Sequence, residues 1–246
     1  MDFETRINDL KSRIGKCDHI VFFGGAGVST ESGIPDFRSK DGLYNQHDVN
    51  FEGYQPEYLL SHDCLYYESK VFYEFYRQKM DCMDIEPNIT HKWLADYEAA
   101  GNDITIVTQN IDGLHQKAGS KKVLEIHGTI YKNYCTRCRK TFPPKAIFDS
   151  PDAIPMCPEC MMGMIRPDVT MYGESLPPAF EEAYKVISKA DMLIIAGTSL
   201  TVYPAANLVT SYKGNNLIII NRDETTADRF ADLVFHESLG EVMSRL

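Results

Sequence analysis

The sequence predicts an α/β fold, with a doubly wound parallel sheet and a smaller attached module. Six short runs are apolar at nearly every position, as expected of strands that are buried on both faces. Helical patterns separate several of these runs, as right-handed βαβ crossovers require. Two stretches, residues 41–83 and residues 133–163, fall outside this alternation. We therefore expect them to form the smaller module.

The elements follow in chain order. An opening helix is predicted over residues 3–14, where apolar residues recur at spacings of four, three and four. A further helix is predicted over THKWLADYEAAG, with Thr90 as N-cap and Gly101 as terminator, and another over PPAFEEAYKVISKA. The predicted strands are HIVFF (19–23), ITIV (104–107), VLEI (123–126), MLIIA (192–196), LIII (217–220) and DLVF (232–235).

Domain organisation follows from the same alternation. The large domain would comprise residues 1–40, 84–132 and 164–246. Residues 41–83, which are rich in Tyr and Phe, would form a helical insert, and residues 133–163 would form a compact cysteine-containing segment. These two segments together would make the small domain.

Composition restricts the classes of function. The formal net charge is −10, from 35 acidic and 25 basic residues, so general binding to nucleic acid is not expected. No apolar run is long enough to span a bilayer, and the first residues lack the order of a secretion signal. We predict a cytoplasmic protein that does not bind membranes. Nothing in the sequence requires an oligomer.

Glycines and polar residues follow five of the predicted strands. In open parallel sheets, ligands bind beyond the carboxyl ends of the strands, so these residues would meet in one crevice. Glycines allow the backbone to approach a bulky anion such as a pyrophosphate, and hydroxyl and amide groups can hold riboses and a base. The segments are 24–27, 108–112, 127–128, 197–199 and 221–223.

Taken singly, these residues allow simpler interpretations. The glycine-rich turn, in which Thr30 replaces the third glycine of a dinucleotide fingerprint, could be an ordinary tight turn. Asn110 and Asp112 could be turn residues, and His127 could be a hydrogen-bonded core histidine. The conjunction of the strand ends favours a nucleotide site, where an imidazole can take up a proton near neutral pH.

Two CxxC pairs with 18 residues between them predict a structural zinc site. Four thiolates complete a tetrahedron and leave no position for water, so the metal would stabilise a segment too small for its own core. The alternative is a redox-active CxxC, for which two pairs are not needed. The predicted ligands of this one zinc ion per chain are Cys135, Cys138, Cys157 and Cys160.

Several motifs together resemble the sirtuin family of NAD-dependent protein-lysine deacylases, in its short, single-domain, bacterial type. They occur in the family's order over nearly the whole chain. Besides the four cysteines, the motifs are GAGVSTESGIPDFR (25–38), TQNIDGLH (108–115), HG (127–128), RPDVTMYGESLP (166–177), GTSLTVYPAA (197–206) and IIINRDETTAD (218–228).

The resemblance implies a Rossmann-type domain that binds NAD and a small domain made of the zinc ribbon and the helical insert. His127 would be the general base, and Asn110 and Asp112 would act with it. Residues 36 and 37 would lie near the nicotinamide, and residues 197, 199 and 221 near the adenosine. The implied NAD contacts are Gly25, Ala26, Gly27, Thr30, Asp36, Phe37, Arg38, Gln109, Asn110, Ile111, Asp112, His127, Gly197, Thr198, Ser199, Asn221, Arg222 and Asp223.

The resemblance also implies that an acyl-lysine peptide enters between the two domains and adds as a strand. This chain departs from the family's usual valine at Thr170 and usual phenylalanine at Tyr172. It also has Tyr76-x-x-Lys79 where deacylases of acidic groups have Tyr-x-x-Arg, so acetyl and other uncharged acyl groups are expected. The implied substrate contacts are Thr170, Tyr172, Gly173, Glu174 and Val202.

The implied reaction consumes NAD, transfers the acyl group from lysine to ADP-ribose, and releases nicotinamide and 2'-O-acyl-ADP-ribose. It requires no Ser or Cys nucleophile, and the sequence has no nucleophile elbow. Two alternatives use the same residues differently. One is an NAD-dependent mono-ADP-ribosyltransferase, and the other is a zinc-ribbon binding module without enzymatic activity.

Overall fold

The computed structural model describes residues 1–37, 39–40, 42–43 and 51–246. No helix within these residues is long and apolar enough to cross a membrane. The strands are β1 (His19–Gly24), β2 (Asp103–Thr108), β3 (Val123–Glu125), β4 (Gly128–Cys135), β5 (Thr141–Phe142), β6 (Ile165–Val169), β7 (Met192–Ala196), β8 (Leu217–Ile220) and β9 (Leu233–Phe235). The α-helices are α1 (Phe3–Ile14), α2 (Pro56–Leu59), α3 (His62–Tyr67), α4 (Ser69–Met80), α5 (Ile89–Ala99), α6 (Leu114–Ala118), α7 (Lys145–Phe148), α8 (Ala179–Ile187) and α9 (Leu239–Met243).

All six predicted strands belong to one parallel sheet. Its order is β3-β2-β1-β7-β8-β9, with β1 between β2 and β7. The chain therefore adds β2 and β3 on one side of β1, and then crosses back to add β7, β8 and β9 on the other side. This reversal makes the sheet doubly wound. The predicted fold class is confirmed.

Side chains of the sheet alternate between two apolar layers. On one face, Phe22 and Ile194 pack with the buried face of α1, and also with residues of α5 and α9. On the other face, Phe23 and Ile195 pack with Ala183 and Ile187 of α8. Burial on both faces explains why the strands are continuously apolar in the sequence.

The N-cap of helix α5 lies two residues before the predicted one. Asn88 is the N-cap, and its Oδ1 accepts hydrogen bonds from the Thr90 N–H at 2.9 Å and the His91 N–H at 3.4 Å. The prediction of Thr90 was therefore wrong, because the amide of Asn88 reaches these free N–H groups first. Gly101, with a φ of 93°, follows the helix as predicted.

The helices α2 to α4 share one apolar core with a small antiparallel sheet of order β5-β4-β6. This sheet extends from Gly128 to Val169. The Tyr73 hydroxyl of α4 donates to the Ile165 carbonyl of β6 at 2.8 Å. Arg77 of the same helix donates to the Ile147 carbonyl of α7 at 2.8 Å. Two segments that are far apart in the sequence thus form one packed unit.

Candidate active site

Glycines interlock the loops that follow β1 and β7. The N–H of Gly25 donates to the Ala196 carbonyl at 3.0 Å, and the N–H of Gly27 donates to the Gly197 carbonyl at 2.9 Å. A Cβ at Gly27 would lie 2.7 Å from the Gly197 Cα, so no side chain fits. The hydroxyl of Thr30 donates to the Gly27 carbonyl at 3.0 Å. The glycines that were expected to let an anion approach the backbone therefore also allow the two loops to pack closely against each other.

Ser29, which the sequence did not single out, joins two of the predicted catalytic residues. Its side chain is fully buried, and its hydroxyl donates to Asp112 Oδ2 at 2.6 Å. The Ser29 hydroxyl oxygen in turn accepts a hydrogen bond from Asn110 Nδ2 at 3.0 Å. Burial raises the pKa of Asp112, although hydrogen bonds from Ser29 and the Leu114 N–H partly offset this effect. The loops after β1 and β2 are thereby fixed to each other.

His127 follows β3 with one ring nitrogen already bonded. Its Nδ1 lies 3.0 Å from the carbonyl oxygen of Gln109, which can only accept, so Nδ1 carries the proton and Nε2 is unprotonated. Burial lowers the pKa of His127, which keeps the ring neutral at pH 7. The next residue, Gly128, has a φ of 78°, and a Cβ there would lie 2.0 Å from the Asp168 carbonyl. The turn that carries the imidazole thus fits closely against β6.

The loop after β7 presents hydroxyl groups beside the loop after β2. Gln109 Nε2 donates to the buried Thr198 hydroxyl at 3.1 Å. The next residue, Ser199, is exposed and shares a hydrogen bond of 2.8 Å with the Thr201 hydroxyl. Two of the predicted NAD contacts, Gln109 and Thr198, are therefore brought together by the fold.

The loop after β8 is more open. Asn221 Nδ2 donates to the Asp223 carbonyl at 2.8 Å, and the Asn221 carbonyl lies 2.8 Å from Nδ1 of His236. The side chains of Arg222 and Asp223 are exposed. This loop lies at the carboxyl end of the sheet next to the loop after β7, as the strand order requires.

The segment after the glycine-rich loop leaves the sheet and contacts the small module. Phe37 and Ile111 both pack, half-buried, against the apolar core shared by the helices and the small sheet. The Asp36 carboxylate accepts a hydrogen bond from the Ser39 N–H at 2.7 Å. Arg38, a predicted NAD contact, lies outside the described residues.

The predicted peptide-binding segment begins directly after β6. The Thr170 N–H donates to the carbonyl of His127 at 2.9 Å, so this segment starts beside the imidazole turn. The Tyr172 N–H donates to the Leu60 carbonyl and the Tyr172 carbonyl accepts from the His62 N–H, both at 2.9 Å. One edge of the segment is therefore bonded to the helical part of the small module.

The Glu174 side chain at the end of this segment folds back and forms hydrogen bonds within the protein. The Glu174 carboxylate accepts from Arg166 and from the Met171 N–H, so it is occupied within the protein. Gly173 is exposed with a φ of 89°. Val202, the other predicted substrate contact, is half-buried, and its carbonyl accepts a hydrogen bond from the Ala206 N–H at 2.9 Å. Sequence reasoning missed Arg166 as a partner, although it begins the motif RPDVTMYGESLP.

Tyr76, considered above for acyl selectivity, lies in the core of the small module. Its ring stacks between those of Phe72 and Phe148, with centroid distances of 5.5 and 5.4 Å. Its side chain is fully buried, whereas Lys79 is half-buried.

The four cysteines of the CxxC pairs lie together, with all sulfur atoms within 4.8 Å of one another. The Cys135–Cys160 and Cys138–Cys157 sulfur distances are 3.6 and 3.8 Å. A tetrahedral ion with Zn–S bonds of about 2.3 Å separates its ligands by about 3.8 Å, so the site fits zinc. A Cβ at Gly163 would lie 2.7 Å from the Cys135 sulfur, which explains the glycine there.

The chain is similar to known proteins of one family. The model of the Sir2 family matches residues 25–204. An NAD-dependent protein deacetylase of Clostridium acetobutylicum is 50% identical over 239 residues, which cover 97% of this chain and 96% of the relative. A structure of Sir2 with a p53 peptide and NAD+ has a TM-score of 0.85 at 36% identity, over 97% of this chain and 96% of that chain. Another, of Sir2 with an inhibitor, 2'-O-acetyl-ADP-ribose and deacetylated p53 peptide, has a TM-score of 0.83 at 35% identity and the same coverage.

Proposed function

This chain belongs to the Sir2 family, and from this premise we propose that it is an NAD-dependent protein-lysine deacetylase. The enzyme consumes NAD and one water molecule, transfers the acyl group of an acyl-lysine to ADP-ribose, and releases free lysine, nicotinamide and 2'-O-acyl-ADP-ribose. A similar Sir2 structure contains 2'-O-acetyl-ADP-ribose and deacetylated peptide, which supports this product. The observation that carries the proposal is His127, a neutral imidazole at the carboxyl end of the sheet whose Nε2 has no hydrogen-bond partner among the described residues.

His127 would act as the general base. Because its Nδ1–H is held by the Gln109 carbonyl, Nε2 can accept a proton from a ribose hydroxyl. The charge that then develops on the ring is stabilised by the same carbonyl. Burial lowers the pKa of His127, so the unprotonated form is available at neutral pH.

Asn110 and Asp112 would orient the reacting end of the site. Ser29 holds the amide of Asn110 and the carboxylate of Asp112, so neither is free to rotate away. We propose that Ser29 belongs to this catalytic group through its contact with both.

NAD fits the residues of this crevice. Backbone, amide and hydroxyl groups meet at neighbouring strand ends. They come from the interlocked loops at 25–27 and 197–199, from the amide of Gln109 and from the loop at 221–223. Bound NAD would supply an activated ribose carbon for attack by the acyl oxygen, with nicotinamide as the leaving group. The chain binds and orients the dinucleotide, and Phe37 would exclude water beside the nicotinamide position.

The proposal extends to organisation and location. We propose that residues 41–83 and 133–163 form a small domain on a Rossmann-type domain of residues 1–40, 84–132 and 164–246. Zinc held by four thiolates would stabilise the ribbon and take no part in the chemistry. The four reduced cysteines favour a cytoplasmic location. Acetyl and other uncharged acyl-lysines are the proposed substrates of this acyl transfer.

His127→Ala tests the proposal. We expect NAD-dependent deacylation of acetyl-lysine peptide to be lost while zinc content and thermal unfolding stay unchanged. Full activity in this variant would refute the assignment. Mass spectrometry of wild-type products distinguishes the alternative of mono-ADP-ribosyltransfer, which leaves ADP-ribose on protein, from deacylation, which produces free acyl-ADP-ribose.

A further inference from the structure

A buried ion pair spans the proposed peptide-binding segment. Arg166 of β6 donates from Nη1 to Glu174 Oε1 at 2.6 Å and from Nη2 to Glu174 Oε2 at 2.9 Å. The side chains are only 7% and 17% exposed. Two parallel bonds between a guanidinium and a carboxylate fix direction as well as distance.

Each partner also binds the backbone of the segment. Arg166 donates to the carbonyls of Pro167 and Val169, at 3.1 and 3.0 Å. Glu174 Oε2 accepts the Met171 N–H at 3.0 Å, and the Glu174 N–H donates to the Met171 carbonyl at 3.0 Å. The pair therefore holds the chain at both ends of the short stretch from 167 to 174.

The stretch has one bonded edge and one open edge. Tyr172 uses its N–H and carbonyl for the helical part of the small module. Among the described residues, the N–H and carbonyl of Gly173 have no hydrogen-bond partner, and Gly173 is exposed. An added peptide strand needs such free backbone groups at a fixed position.

The charge state of Glu174 suits this task. Burial by itself raises the pKa of the carboxyl group, but the hydrogen bonds from Arg166 and the Met171 N–H outweigh it, so the pKa lies below its usual value. The ion pair is therefore complete throughout the neutral range. Removing either partner leaves a buried charge without compensation.

We infer that Arg166 and Glu174 are positioning residues for the peptide substrate, which they hold in register by fixing the backbone of residues 171–174 without contacting the acyl-lysine. This inference rests on the proposed deacetylase function. It assigns Glu174 a role different from the substrate contact that the resemblance implied, because its carboxylate is already bonded to Arg166.

The test measures KM for an acetyl-lysine peptide and for NAD in Glu174→Ala and Arg166→Met. We expect the peptide KM to rise by about tenfold or more, because the lost charge-assisted hydrogen bonds no longer fix the backbone that the peptide binds. The NAD KM should stay within about twofold. Arg166→Lys keeps one charged donor but not the fork, and Glu174→Gln keeps an acceptor for the Met171 N–H. Both should give intermediate values of the peptide KM.

A matched control exists on the large domain. Arg6 forms a comparable fork with Glu237, at 2.6 and 3.2 Å, and donates to the Val234 carbonyl at 2.8 Å. Glu237→Ala should lower the melting temperature without changing the peptide KM. If the single variants fold poorly, the double variant R166M/E174L removes both charges at once and should still show the raised peptide KM.

Three outcomes would overturn the inference. They are an unchanged peptide KM in the folded variants, an equal rise of the peptide and NAD values, and an equal rise of the peptide KM in Glu237→Ala. Absence of NAD-dependent deacetylation in the wild-type protein would instead refute the proposed function, so the two failures are distinguishable.

Discussion

Replacing Ser29 by alanine should damage both stability and catalysis. The change removes a hydroxyl that donates to Asp112 at 2.6 Å and accepts from Asn110 at 3.0 Å, in a position with no solvent exposure. A methyl group cannot replace these bonds, so the carboxylate keeps the hydrogen bonds from the Leu114 N–H at 2.9 Å and from its own backbone N–H.

The magnitude follows from the two lost bonds. A hydrogen bond to a charged group contributes about 1.5–3 kcal/mol, and an amide left without a partner adds about 1 kcal/mol, so we expect unfolding to be easier by about 2–4 kcal/mol. For a chain of 246 residues this corresponds to a melting temperature lower by about 5–15 °C. The turnover number for acetyl-lysine peptide should fall as well, because Asn110 and Asp112 lose their common support.

Ser32 provides the matched control in the same loop. Its hydroxyl is buried and has no hydrogen-bond partner among the described residues, so Ser32→Ala should not destabilise the protein. Both variants are compared by thermal unfolding and by steady-state deacetylation. Equal melting temperatures and equal turnover in the two variants would show that the Ser29 network supports neither stability nor catalysis.

Three further predictions concern other parts of the fold. Burial lowers the pKa of His91 to about 4 and that of His115 well below its usual value, so the unfolded chain binds more protons as the pH falls from about 6.5 to about 4. Urea unfolding should show a loss of about 3 kcal/mol over this range from His91 alone, and a constant free energy of unfolding would contradict it. Gly128→Ala should reduce deacetylation and stability together, because its Cβ would lie 2.0 Å from a carbonyl oxygen at a φ of 78°; wild-type behaviour would refute the tight fit. Zinc chelation or Cys157→Ser should unfold the ribbon, and an unchanged thermal melt would exclude a structural metal.

The sheet could be predicted because its sequence signal is local. The central strands are buried on both faces at most positions, so nearly all of these positions are apolar and each run stands out against the polar helices and loops. The helix start at Asn88 was missed because either Asn88 or Thr90 can cap a helix, and the choice depends on backbone angles that the sequence does not display. Such a shift of two residues leaves the rest of the helix unchanged.

The interior of the site could be predicted only in part. His127, Asn110 and Asp112 lie two to four residues after the end of a strand, so their place at the edge of the sheet could be predicted from the sequence. Ser29 gains its role only where the loops after β1 and β2 converge, which depends on tertiary packing. The need for glycine at position 27 could also be predicted only in part. The close approach of Gly197, which depends on tertiary packing, requires a glycine there as well as any ligand does.

The strand order has a consequence for how the chain folds as it is synthesised. β1 is made early and pairs with β2 on one side, but its other neighbour is β7, which begins only at Met192. Until that residue has left the ribosome, one edge of β1, in which residues 20–23 are all apolar, has no partner strand in the nascent chain. Pairing between such distant segments is slow and leaves apolar surface open to aggregation. We therefore expect the large domain to complete its folding late in translation and to depend on chaperones when synthesis is stalled before β7.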